Sequence, residues 1–315
     1  MNTATDLALL HWGERLFYPA NRRTANTAPH LRGTSSQRAD VLRQRIAAMV
    51  QRRAPQVMVK VTGGGRGMRA ITAHFHYISK HGRLPMEDER GDAVQGRGEL
   101  ELLVDEWRWG GSLIAEETER REAYNIMLSM PRGTDPSIVQ RAAREFARAE
   151  LAGHKYVMVL HDHQAHPHVH LSVRAESNHG RRLNPRKADL QRWRETFAEK
   201  LRGWGIDAEA TRATTRGVRG VDEPLWRRQA RAQQRLQRDD PHRMKTAAPA
   251  SHALARQAWA QVGQVLVRSG DPRDRELARH LAAFMQRTPS FRVTEFSSGR
   301  VAQKALQNRT PEPRR

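Results

Sequence analysis

The chain of 315 residues contains no cysteine. That excludes disulfide staples and every zinc site closed by thiolates, and it fits a cytoplasmic setting. No apolar run approaches the ~20 residues needed to cross a bilayer, so no membrane insertion is expected. The first residues also lack the basic start and long apolar core of a secretory leader. Aromatic residues are sparse at 6%, and the only tyrosines are Tyr18, Tyr77, Tyr124 and Tyr156. Acidic side chains are outnumbered, 34 against 55 lysines and arginines, which leaves a formal net charge of +21. Such an excess points to a polyanionic partner. Nucleic acid is the natural one, because neutralising phosphates releases counterions, although an acidic protein or membrane surface would answer to the same charge.

What the chain has in abundance is histidine, gathered in residues 161–174, HDHQAHPHVHLSVR. An apolar run at 156–160, YVMVL, precedes it and reads as a strand buried on both faces. Alternate side chains of a strand share a face, so His168 and His170 project together while Val169, Leu171 and Val173 face away. A turn between the two strands makes them a hairpin and brings His161 opposite His168. The three imidazoles form a candidate site for a divalent metal, with His163 as a further candidate ligand. Coordination positions left open suit a catalytic rather than a structural ion. A lone histidine in a strand is usually packed or solvated; this crowding, paired at i and i+2, favours ligation.

The rest of the chain reads as follows. Residues 1–55 form a basic N-terminal arm, partly disordered over 21–38, with a short helix from 39 to 53. Residues 56–62 form a strand, ended by glycines 63–65. Residues 68–80, MRAITAHFHYISK, form a helix whose apolar face is Ile71, Phe75 and Ile78. Residues 87–122 carry 12 acidic and 5 basic side chains and read as an acidic outer insert. A strand at 123–130 precedes helices at 135–153 and 187–204. Beyond 210, a basic helix is expected at 223–238 and helix again at 250–286, before a disordered tail of ~25 residues. The fold class is α/β (α+β), a central antiparallel sheet with flanking helices over 56–210, and a basic helical C-terminal region over 211–315.

Two segments together carry a family resemblance. HDHQAHPHVH is similar to the metal motif of conjugative relaxases, H-x-D-x-x-x-P-H-x-H followed by Asn: His161, Pro167, His168 and His170 match, His163 replaces Asp, and Arg174 stands where Asn is usual. His168-Val169-His170 is also the His-hydrophobic-His signature of the wider endonuclease superfamily. HFHYISKHGRL resembles the family's tyrosine motif, matched by Tyr77, Ile78, Ser79, Lys80 and Gly82. The resemblance spans about 56–204 and implies a palm-like relaxase sheet.

It further implies a function. Tyr77 would be the nucleophile of a strand-specific nick in single-stranded DNA at a plasmid transfer origin, leaving a 5′-phosphotyrosyl adduct with Mg²⁺ or Mn²⁺ as cofactor. On packing grounds alone a helical tyrosine is more often a core residue. Ser129, Lys80 and Arg174 would contact DNA. Relaxosome accessory proteins and a type IV secretion coupling protein would be partners, and the protein would travel to a recipient cell attached to its DNA. Two other readings stand beside this one: a rolling-circle replication initiator or transposase of the same superfamily, and a non-catalytic DNA-binding protein with a vestigial site.

Overall fold

The computed structural model describes residues 3–18, 33–218 and 249–291. The arm at 21–32, the basic helix at 223–238 and the tail after 291 lie outside the described residues. The chain divides into two compact units.

The unit that contains Ala47–Thr211 is built on a six-stranded sheet. Its strands are β1 (Met58–Gly63), β2 (Met86–Asp88), β3 (Ala93–Val94), β4 (Ala123–Ser129), β5 (His154–His161) and β6 (His168–Ser177). Their order is β1-β4-β6-β5-β2-β3, and every neighbouring pair is antiparallel. The expected fold class holds. β5 and β6 form the expected hairpin, in register from Val157↔Ser172 through Val159↔His170 to His161↔His168.

Both faces of this sheet are covered. On one, Ile126, Leu128, Val169, Leu171 and Val173 pack against Phe146 of α5 (Pro136–Glu150) and Trp193, Phe197 and Leu201 of α6 (Lys187–Gly203). On the other, Ala123, Val157 and Val159 meet Met68, Ile71, Phe75 and Ile78 of α3 (Met68–Ile78). Alternation along β6 therefore sends Val169 and Leu171 into the first core and leaves His168 and His170 facing the α3 side.

The acidic segment 87–122 differs from the outer insert its charge suggested. It supplies β2, β3 and α4 (Arg97–Trp109), whose buried residues Leu100, Leu103, Val104 and Trp107 fall at i, i+3, i+4 and i+7. Trp107 is fully buried and meets Phe75 edge-on with ring centroids 4.8 Å apart. Several of the segment's carboxylates are answered by cations elsewhere in the unit. Glu87 takes two hydrogen bonds from Arg144 at 2.5 and 2.6 Å, and Glu106 pairs with Lys155 at 2.8 Å. Composition registered the charge on one side of α4 and hid the apolar period on the other.

The second unit is helical. It contains α1 (Thr3–Phe17), the greater part of α2 (Ser35–Val50), α7 (Pro249–Arg268) and α8 (Pro272–Arg287). Most of the N-terminal arm is thus helix: Leu9, Leu16 and Phe17 are buried, and Phe17 packs edge-on against Trp259 of α7 at 5.9 Å. The partner of α1 lies some 240 residues further on, which is why local composition did not reveal it. The helix expected over 250–286 is broken at Gly270, where Asp271 caps α8 by accepting from the Arg273 amide and Pro272 opens it.

Candidate metal and nucleophile site

The histidines converge. One ring nitrogen from each of His161, His168 and His170 lies within 4.8 Å of the others, the one such triad among the described residues. The sheet register produces this: His161 is directly across from His168, and His170 is two residues along β6 on the same face. Ring centroids are 5.1 Å apart for His161–His168, 4.7 Å for His161–His170 and 5.0 Å for His168–His170.

Backbone carbonyls orient two of these rings. His161 Nε2 donates to the Ile78 carbonyl at 2.7 Å, and His168 Nδ1 donates to the His166 carbonyl at 2.9 Å. With those protons placed, His161 Nδ1 and His168 Nε2 carry the lone pairs, the usual outer-shell arrangement of a metal-binding imidazole. His170 Nδ1 is buried with no hydrogen-bond partner among the described residues. Burial, reinforced by the neighbouring histidines, pushes the His170 pKa down to about 3, and burial also lowers that of His161. Three converging imidazoles, one with an orphaned buried nitrogen, fit a divalent cation.

Tyr77 is not a packing residue: it is 69% exposed while its helix neighbours Phe75 and Ile78 are fully buried. It sits on α3, whose end is fixed by Ser79. The Ser79 hydroxyl donates to the Phe75 carbonyl at 2.7 Å and accepts from the Gly82 amide at 2.9 Å. The chain then turns back through Lys80, His81 and Gly82, all with positive φ. A side chain at Gly82 would come within 2.8 Å of the Gly96 backbone, so that position needs glycine. The turn leaves Lys80 exposed, with its charge acting on His161. The carbonyl that orients His161 belongs to the residue next to Tyr77. His163 is exposed on the turn, its ring 5.3 Å from that of His161.

Two residues expected to meet DNA are placed otherwise. Ser129 pairs with His168 across the sheet, but it is 4% exposed and its hydroxyl donates to the Pro167 carbonyl at 3.3 Å. Arg174 is 3% exposed and lies six residues along β6 from His168, about 20 Å in an extended strand. Its guanidinium donates to the carbonyls of Trp107 at 3.1 Å, Gly110 at 3.0 Å and Ser112, and so caps the end of α4. Position in the motif suggested DNA; in the structure Arg174 is buried and latches the end of α4. Arg174→Ala should leave these carbonyls unpaired and destabilise the unit by about 3 kcal/mol, visible as a lower melting temperature. An unchanged melting temperature with weakened DNA binding would restore the DNA role.

The sequence placed His74 beside Tyr77 but gave it no role in the site. It lies one turn before Tyr77 on α3, its ring stacked on that of Tyr77 at 6.3 Å and 29°, and edge-on to His170 at 6.4 Å. Burial lowers its pKa to about 4, and its buried Nε2 has no partner among the described residues. The i, i+3 spacing was legible, but the approach of α3 to β6 was not.

His74 and His170 tie stability to pH. Their folded pKa values lie below the unfolded value of about 6.5, so the unfolded chain binds more protons between those limits. The stability they contribute is complete above pH ~6.5 and is lost as pH falls toward 4 and then 3. Metal-free protein should melt at progressively lower temperature across that window, and His74→Phe should flatten the slope. A melting temperature independent of pH from 6.5 to 4 would contradict the burial of these rings.

Residues 85–206 match the family model described as relaxase, MobA/VirD2-like, nuclease domain. That span includes the histidine triad and begins after Tyr77. The chain is also 25% identical over 204 residues to the T-DNA border endonuclease VirD2 of Rhizobium radiobacter, a match covering 58% of this chain and 47% of that protein. The chain thus spans about half the length of this relative. Over residues 85–206 the chain is thus similar to the relaxase nuclease domain.

Proposed function

We propose that this protein, similar to the relaxase nuclease domain over residues 85–206, nicks one DNA strand at a plasmid transfer origin and holds the cut end as a 5′-phosphotyrosyl adduct. The observation that carries this reading is the convergence of His161, His168 and His170 beside an exposed tyrosine, linked to it through the Ile78 carbonyl. A buried triad alone would serve any metalloprotein. An exposed tyrosine at its edge supplies a nucleophile.

A divalent cation held by the three histidines would supply Lewis acidity toward a scissile phosphate. Of Mn²⁺ and Mg²⁺, three imidazoles suit Mn²⁺ better, because Mg²⁺ prefers oxygen ligands. Tyr77 Oη forms the new bond to phosphorus as the bond to the 3′ oxygen breaks. The tyrosine proton passes to solvent, and the departing 3′ oxygen takes one up, leaving a free 3′ hydroxyl. Lys80 adds positive charge where the strand must lie. Ser129 acts from beneath the site by holding Pro167 at the entry to β6. Accessory DNA-binding proteins and a secretion coupling protein are the partners this reading calls for. Among the described residues no helix is long and apolar enough to cross a membrane.

The test uses the full chain, Mn²⁺ or Mg²⁺, and single-stranded oligonucleotides spanning a candidate transfer origin, labelled at either end. A 3′ label that stays with denatured protein and a 5′-labelled fragment that is released are the expected result. Cleavage with no retained label would make the protein a hydrolytic nuclease. No cleavage with either ion would favour the DNA-binding reading with a vestigial site.

A further inference from the structure

An exposed tyrosine has rotamer freedom, and a nucleophile is productive only in the rotamer that reaches the phosphate. Tyr77 makes one ring contact among the described residues, with His74, whose ring stacks on it at 6.3 Å. The same His74 ring lies edge-on to His170 at 6.4 Å, so it neighbours both the tyrosine and a member of the triad. Both separations fall within the 4.5–7 Å range of attractive ring pairs. α3 fixes the spacing, since residues at i and i+3 are surface neighbours one turn apart. The helix itself is anchored on its other face by Ile71, Phe75 and Ile78.

His74 Nε2 is buried and has no partner among the described residues; what the ring offers Tyr77 is its stacking surface.

We propose that His74 is a positioning residue for Tyr77: its ring, in contact with both Tyr77 and His170, restricts the tyrosine to the rotamer from which it attacks a phosphate held at the triad. The proposal rests on the reading of Tyr77 as nucleophile. His74 does not ligate the metal and takes no part in bond making; it narrows the conformations from which Tyr77 attacks.

The experiment compares His74→Ala with His74→Phe in the full chain. Phenylalanine keeps the stacking surface and removes the nitrogen, whereas alanine removes both. His74→Ala should form the covalent adduct about tenfold more slowly at saturating oligonucleotide, with KM and Mn²⁺ affinity by calorimetry within about twofold of the parent. His74→Phe should restore the rate to within about threefold and melt no lower than the parent. A second readout needs no activity: with ¹³C-labelled tyrosine, the Tyr77 ring, identified as the resonance lost in Tyr77→Phe, should be ordered in the parent and in His74→Phe and averaged in His74→Ala. A His74→Ala protein with parental rate and an ordered Tyr77 ring overturns the proposal. So does a His74→Phe protein as slow as His74→Ala, which would assign the role to the nitrogen, or a large loss of Mn²⁺ affinity, which would make His74 a ligand. If the parent forms no adduct, the nuclease reading fails, and the tyrosine ring-order comparison still decides whether His74 positions Tyr77.

Discussion

Tyr77→Phe should bind single-stranded DNA as tightly as the parent protein and form no covalent adduct, a fall of at least about a thousandfold in adduct yield. Binding should survive because phenylalanine keeps the ring and removes only the hydroxyl, while the side chain is 69% exposed and contributes little to the core. The fold should survive for the same reason, with far-ultraviolet dichroism and melting temperature unchanged. The other tyrosines are poor substitutes. Tyr124 and Tyr156 are buried strand residues, and burial raises the Tyr156 pKa, which disfavours the phenolate. Denaturing gels of labelled oligonucleotide with Tyr77→Phe, Tyr124→Phe and Tyr156→Phe decide the matter. An adduct that persists in the first and vanishes in either of the others would move the nucleophile.

The second large effect is on metal affinity. His168→Ala or His170→Ala removes one of three nitrogens, and each should weaken Mn²⁺ binding by at least about a hundredfold. Adduct formation should fall in parallel, while salt-dependent DNA binding, which reflects the chain's charge of +21, should change little. The two variants should differ in stability. His168 gives up a hydrogen bond to the His166 carbonyl, whereas His170 gives up a nitrogen that has no partner among the described residues, so His170→Ala should be the better tolerated. Calorimetric titration of both proteins checks this. Parental affinity in both would leave the histidines as packing residues.

How much of this could be read from the chain depended on how local each signal was. The β5–β6 hairpin was legible because a buried apolar run abuts an alternating one, and that alternation also fixes which face His168 and His170 share. α3 was legible from Ile71, Phe75 and Ile78. The acidic segment was not, because twelve carboxylates hid Leu100, Leu103, Val104 and Trp107 on the inner face of α4. The burial of Arg174 was not legible, since its motif position says nothing about Trp107, Gly110 and Ser112, which reach it from more than 60 residues away. The place of His74 in the site was missed for a related reason: its partner His170 lies 96 residues further on in the chain, and only packing of α3 on the sheet brings them together.

The register of β5 against β6 has a consequence for how the site responds to an empty state. A slip of one residue would throw His168 and His170 into the layer of Phe146 and Trp193 and push Val169 out, so the two cores, not the histidines, enforce the pairing. The three histidines are therefore preorganised by apolar packing far larger than the site itself. Cation binding should then be uncoupled from folding, unlike a zinc finger, whose chain collapses only around its ion. A cation bound there would be lost and regained as conditions vary, and the sheet unit would persist through each exchange with the three histidines already in place.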